Sequence, residues 1–207
     1  MSRWLLVMHS SSEILGLGVR DACDPSGTER LMCRPMGRQL TNGLVAAVEE
    51  LLPGSEWSSI GRLAVCTGPG GFTGTRLTVV MARTLAQQLQ CPLHGESSFA
   101  LMAGRLSMAL PRDQAFEPFS IVQPLPRRGR VAGRYRFQSD SESVEELETP
   151  RLLKEGEDPT PALEVELNVE SDVQQLLRRC WSWEQQNLPG AWETVLPIYP
   201  TSPVGPV

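Results

Sequence analysis

Residues 66–76 read Cys66-Thr67-Gly68-Pro69-Gly70-Gly71-Phe72-Thr73-Gly74-Thr75-Arg76. This turn stands between an apolar run, Ile60 to Val65, and a stretch from Arg76 to Leu89 with helical spacing. Strand, glycine loop and helix start can aim backbone N–H groups at an anion, or let two chain segments approach closely. The sequence leaves both readings open. No Lys-Ser or Lys-Thr follows the last glycine, so the loop is not a Walker phosphate loop. A dinucleotide fingerprint beginning at Gly68 and Gly70 would need its third glycine at 73, which is Thr73. A third kind of α/β fold is required.

Working outward, Leu5 to Met8 is a short apolar strand, and Ile14 to Val19 returns beside it after the Ser10-Ser11-Ser12 turn. Asp24-Pro25-Ser26-Gly27 signals another turn, and Thr28 to Cys33 forms a third antiparallel strand. Pro35 opens a helix over 36–52, with Leu40, Leu44, Ala47, Val48 and Leu51 on a 3.6-residue period and Pro53-Gly54 at its end. After the strand at 60–66 and the helix at 76–89 come a strand at Pro92–Glu96 and a helix at Ser97–Leu110 capped by Ser97 or Ser98. The order β-β-β-α-β-α-β-α predicts a mixed sheet covered by helices. It is the order of the ribonuclease H-like half of actin-like folds. The expected organisation is therefore a ribonuclease H-like domain over 1–110 and a shortened, divergent second domain over 111–207. In the latter, Phe119–Val122 and Val131–Phe137 read as strands and Val173–Gln186 as a helix, while 138–168 is acidic and proline-dotted.

Composition narrows the function. The 207 residues carry a net charge of −5, which argues against an autonomous nucleic-acid binder. No segment approaches the roughly 18 apolar residues of a membrane span, and the amino-terminal apolar stretch is too short for a secretory signal. Five cysteines without a C-x-x-C pair suit free thiols in a reducing cytoplasm. Charge is uneven, however. Arg127, Arg128, Arg130, Arg134 and Arg136 crowd together, and from Asp140 to Asp172 twelve acids face only Arg151 and Lys154. This reads either as a solvated basic hairpin beside an acidic surface or as a phosphate-binding patch.

With these elements placed, the chain resembles the TsaB (YeaZ) family, partners in threonylcarbamoylation of tRNA. The family loop Gly-Pro-Gly-Ser-Phe-Thr-Gly-x-Arg corresponds to Gly68, Pro69, Gly70, Gly71, Phe72, Thr73, Gly74, Thr75 and Arg76. Ala82-Arg83-Thr84-Leu85-Ala86, the segment Pro92 to Ser98, Arg127 to Val131 and Pro197-Ile198-Tyr199 are similar as well. Three positions depart from the pattern. His9-Ser10-Ser11 stands where members have Asp-Thr-Ser, Gly71 replaces the loop serine, and Gln123-Pro124-Leu125 lacks the family's acid.

Catalytic readings meet obstacles in the residues themselves. Kinases and ATPases of this architecture need an acid at the end of the first strand to organise Mg²⁺ and phosphate, and that place holds His9. A zinc protease needs several ligands, commonly two histidines at i and i+4; the chain has only His9 and His94. There is no G-x-S-x-G, and neither a cofactor nor a metal is called for. The helices at 36–52 and 76–89 carry more apolar residues than one buried stripe needs. That surplus serves either helix–helix packing or a partner surface.

The resemblance implies the latter: a non-catalytic scaffold subunit of the complex forming N6-threonylcarbamoyladenosine at position 37 of tRNAs that read ANN codons. It further implies binding to a TsaD-like catalytic subunit through Leu40, Leu44, Val45, Val48, Leu77, Val80, Met81 and Thr84, a TsaE-like ATPase as further partner, and a possible homodimer through the same helices. Arg127, Arg128 and Arg130 are candidate tRNA contacts within that assembly. The alternative is a nucleotide-binding ATPase or kinase-like enzyme, or a glycoprotease-like one, of the same fold.

Overall fold

The structure, a computed structural model, describes residues 2–24, 26–111, 117–126, 128–138 and 143–201. The chain divides into two compact units, one formed by 1–96 with 169–197 and the other by 97–168 with 198–207.

The first unit is built on a five-stranded sheet. Strands β1 (Trp4–His9), β2 (Ile14–Asp21) and β3 (Glu29–Pro35) are antiparallel, and β4 (Ile60–Cys66) and β5 (Leu93–Glu96) add in parallel to give the order β3-β2-β1-β4-β5. Helices α1 (Leu40–Leu51) and α2 (Phe72–Leu89) are the crossovers between β3, β4 and β5. Their inner stripes meet Leu6, Met8, Leu15 and Leu17 in one buried cluster. The sheet's other face is covered by a helix far away in sequence, which the second unit's elements precede.

Two features of the first half differ from the sequence reading. Pro35 closes β3 instead of opening a helix; a 3-10 turn at Gly37–Gln39 intervenes before α1. The second helix begins at Phe72, so the last part of the glycine motif is already its first turn.

The second unit has a four-stranded sheet of β6 (Phe119–Leu125), β7 (Gly129–Gln138), β8 (Ser143–Leu152) and β9 (Ala162–Glu164) in the order β8-β7-β6-β9. Helix α3 (Ser98–Ser107), capped by Ser97 Oγ accepting the Ala100 N–H at 3.0 Å, lays Phe99, Met102, Ala103 and Leu106 against Phe119, Ile121, Val131 and Tyr135. The acidic segment forms β8 because its charges have partners across the ladder: β7 and β8 set Arg136 opposite Glu145 and Arg134 opposite Glu148.

Helix α4 (Val169–Gln185) belongs to the first unit, where it packs on β1, β2, β3 and β4. Where the sequence reading sets one boundary at residue 110, the compact units separate after Glu96 and α4 returns to the first sheet. The physical reason lies on β2. A Cβ at Gly16 would stand 2.4 Å from Val173 Cγ2, and one at Gly18 would stand 3.2 Å from Val173 Cγ1. Bare strand backbone at these two positions lets the helix sit directly on the sheet.

Candidate functional site

The glycine loop is closed by its own chain. A Cβ at Gly70 would lie 2.0 Å from the Ser11 carbonyl oxygen, and one at Gly74 would lie 2.6 Å from that of Ser10. The Gly71 N–H donates to Ser11 O at 2.7 Å. Of the two readings open in the sequence, this geometry is the close approach: the β1–β2 turn sits on the loop, and a donor an anion would use already has a carbonyl. At Gly71 the nearest atom to an added Cβ is 3.7 Å away. The family's serine would fit there.

Under the loop lies a small polar cluster. His9, at the end of β1, is 1% exposed, and its Nε2 is 3.2 Å from Ser11 Oγ and 4.0 Å from Asp172 Oδ2. Cys66 Sγ stands 3.8 Å from the same Ser11 hydroxyl. Burial drives the His9 pKa down to about 4 and the Cys66 thiol up to about 12, so both are neutral at pH 7. Serine, histidine and aspartate in one place invite comparison with a hydrolytic triad. A triad needs serine and acid on opposite ring nitrogens; here both approach Nε2, and His9 Nδ1 has no hydrogen-bond partner among the described residues. Ser11 is also buried, with 7% of its surface exposed. The cluster braces the turn that holds the loop.

A second buried group fixes the end of α4. Arg62 on β4 is 1% exposed; its Nε donates to Glu184 Oε2 at 2.9 Å, and one terminal nitrogen donates to Leu188 O at 2.7 Å and His94 Nε2 at 2.6 Å. Guanidinium only donates, so His94 accepts through Nε2 and is neutral. Burial, with Arg62 adding repulsion, lowers its pKa to about 4. Its ring stacks on Trp183 at 4.5 Å between centroids. Both histidines thus have structural surroundings. Among the described residues no group of three or more His, Cys, Asp or Glu is arranged to hold a metal ion.

Helices α1 and α2 lie side by side, and the structure sorts the eight residues expected at a partner surface. Leu40, Leu44 and Val48 are sealed in the first unit's core. They are removed from the candidate surface, because the stripe that repeats every 3.6 residues is the one the sheet requires. Leu77 and Met81 are half-buried against the core edge, and Thr84 is exposed. Val45 and Val80 point outward with 54% and 53% of their surface exposed. A cleft of about 710 Å³ adjoins this face at the helix N-termini, lined by Met36, Arg38, Thr41, Phe72 and Thr73 among others, with only the 4% of Leu40 that the core leaves uncovered at its wall. Phe72 is a third large apolar side chain in view, at 39% exposure. The loop's Arg76 is exposed as well.

The basic run finds its countercharge within the second unit. Arg130 donates to Asp158 Oδ1 at 3.1 Å and to Glu157 O at 2.8 Å, and Arg136 and Arg134 stand 3.7 and 4.0 Å from Glu145 and Glu148. Arg128 is exposed and has no ion pair among the described residues, and Arg127 lies outside them.

Comparisons with known proteins bear on this arrangement. The family model described as TsaD, tRNA N6-adenosine threonylcarbamoyltransferase, matches residues 35–122, from the end of β3 into β6. A search of curated proteins gives no significant match. Among solved structures, an uncharacterized Pseudomonas aeruginosa protein with similarity to peptidase YeaZ superposes with a TM-score of 0.70 at 19% identity, covering 96% of this chain and 100% of that one. YeaZ from Pseudomonas aeruginosa superposes at 0.66 and 20% identity, covering 95% and 99%. The chain therefore has the fold of these YeaZ structures, and within it residues 35–122 match the TsaD family model.

Proposed function

We propose that this chain is a non-catalytic subunit in tRNA threonylcarbamoyladenosine formation, and that it binds a TsaD-like catalytic subunit through the outer face of α1 and α2. The observation that carries the reading is the pair Val45 and Val80, both half exposed on adjacent helices whose inner stripes are already satisfied. Adjacent outward apolar residues flanked by exposed Thr41 and Thr84 have the make-up of an interface centre with a polar rim. A stable interface needs about 800 Å² from each partner. The closed glycine loop and the buried, neutral His9 favour a binding role over phosphoryl transfer or hydrolysis.

The match to the TsaD family and the YeaZ fold support involvement in tRNA modification. On this reading a TsaE-like ATPase joins the assembly, and in its absence the same face pairs two copies. Contact with tRNA within the complex falls to Arg128 and Arg127, since Arg130 is held by Asp158. A cytoplasmic location accords with five free cysteines; among the described residues no helix is long and apolar enough to cross a membrane. The test is co-elution of the chain with a TsaD-like subunit on a sizing column. Wild type is expected to co-elute, whereas Val45→Glu and Val80→Glu elute alone as folded proteins. Co-elution of both variants overturns the assignment of this face.

A further inference from the structure

The second unit contains a cleft that the proposed role does not use. Its volume is about 260 Å³, and its walls include Ser120 on β6, Arg134 on β7, Glu148 on β8, and Asp158 and Thr160 on the segment that follows. A slip in register opens it. Ala132 pairs with Arg151 and Arg134 with Glu148, so one residue on β7, Gly133, faces two on β8, Thr149 and Pro150. Bulges of this kind bend a strand and re-aim its side chains, and they recur beside binding sites.

The overhanging segment is tied down from the sheet. Both terminal nitrogens of Arg130 donate to Asp158 Oδ1 at 3.1 Å, Arg151 donates to Glu157 Oε2 at 2.8 Å, and the Leu153 N–H donates to Arg130 O at 2.8 Å. With those bonds made, five groups in the cleft have no hydrogen bond among the described residues, the Glu148 carboxylate among them, held only by ion pairs to Arg134 and Arg151 at 4.0 and 3.6 Å. Arg134 donates no hydrogen bond among the described residues, its acid Glu148 being 4.0 Å away. Asp158 Oδ2 and the hydroxyls of Ser120 and Thr160 likewise have no protein partner among the described residues.

One guanidinium, the Glu148 carboxylate, the second oxygen of Asp158 and two hydroxyls in a small polar cleft complement a molecule with a carboxylate at one end and an ammonium at the other. Guanidinium takes a carboxylate through paired N–H donors, an ammonium donates to Asp158 Oδ2, and the hydroxyls serve either end. The volume lies below the roughly 300–1,000 Å³ of pockets for drug-sized ligands, which restricts the occupant to something small. We infer that this cleft binds a free α-amino acid. The inference stands apart from the partner face and does not depend on it.

Calorimetric titration of the full chain tests it, with glycine, serine and glutamate as probes and propionate and ethylamine as single-charge controls. At least one amino acid is expected to bind saturably with Kd about 1 mM or tighter, and the controls more weakly. Arg134→Gln, which gives up the half-exposed 4.0 Å ion pair to Glu148, is expected to weaken that binding tenfold or more while circular dichroism shows the protein still folded. Asp158→Asn should lower affinity for the amino acid but not for propionate. No binding by any probe, equal binding of propionate, or unchanged affinity in folded Arg134→Gln overturns the inference.

Discussion

A negative charge placed on the α1–α2 face separates its outer surface from its buried stripe. Val80→Glu alters a side chain with 53% of its surface exposed, so the free protein has little to lose. Exposed substitutions of this kind lie within about 0.5 kcal/mol of neutral. In a complex the same position would be covered. Burying the exposed half of a valine contributes about 1 kcal/mol, and leaving a carboxylate unpaired in its place costs about 2 kcal/mol more, at the low end for such a group. The sum, about 3 kcal/mol, weakens binding to a TsaD-like subunit roughly 100-fold. Leu44→Glu, at the residue just before Val45 but on the inner side of α1, alters a side chain only 6% exposed in the core. It removes a buried leucine, worth about 2–5 kcal/mol, and buries a charge besides, so it unfolds the first unit. Calorimetric titration gives the affinities, and circular dichroism with temperature gives the stabilities. Val80→Glu with wild-type affinity, or a folded Leu44→Glu that has lost only binding, would refute the reasoning.

Other outcomes follow from the interior. Gly70→Ala forces a Cβ onto the Ser11 carbonyl at 2.0 Å and should cost about 2 kcal/mol or more, whereas Gly71→Ser, with 3.7 Å of room, should stay within about 0.5 kcal/mol; urea titration of both distinguishes a packing loop from a tolerant one. His9 has an ordinary pKa of 6.5 when unfolded and about 4 when folded, so the unfolded chain binds more protons between those values and stability falls as pH drops through that window. The loss from this residue approaches about 3 kcal/mol near pH 4, and the wild-type protein should therefore lose stability relative to His9→Gln between pH 7 and pH 4.5, measured by urea midpoints. Replacing Arg62 by Met strands His94 Nε2 and the Leu188 carbonyl and weakens the hold on Glu184, with an expected cost of about 3–5 kcal/mol in thermal or urea unfolding.

Much of the first unit was legible because its signals are local. The apolar runs of β1 and β2, the inner stripe of α1, the Pro53-Gly54 stop and the Ser97 cap are each encoded within a few residues. The start of α2 at Phe72 was not, because what ends the loop is a hydrogen bond from Gly71 to Ser11, sixty residues earlier. The return of α4 is likewise a long-range fact. Its one trace in the sequence is the pair Gly16 and Gly18, on alternate positions of β2 and hence on one face, a spacing that marks where a helix can lie directly on a strand. The acidic run gives no strand pattern of its own because charges are poor strand formers in isolation; β8 exists through arginines on β7 that a single-segment reading does not weigh. For the candidate site, periodicity located both helices and put Leu40, Leu44 and Val48 on the core stripe, while the family resemblance implied a partner surface that included them, where the structure buries them. Only the packing of α1 beside α2 separates those residues from Val45 and Val80.

The central claim is that the outward face of α1 and α2 is where a TsaD-like catalytic subunit binds. Backbone hydrogen exchange of this chain, measured alone and with that subunit in excess, tests it most directly. The account predicts slower exchange confined to residues 41–50 and 72–88, with the β7–β8 hairpin unchanged. Protection that falls elsewhere while both helices exchange as in the free chain would contradict it.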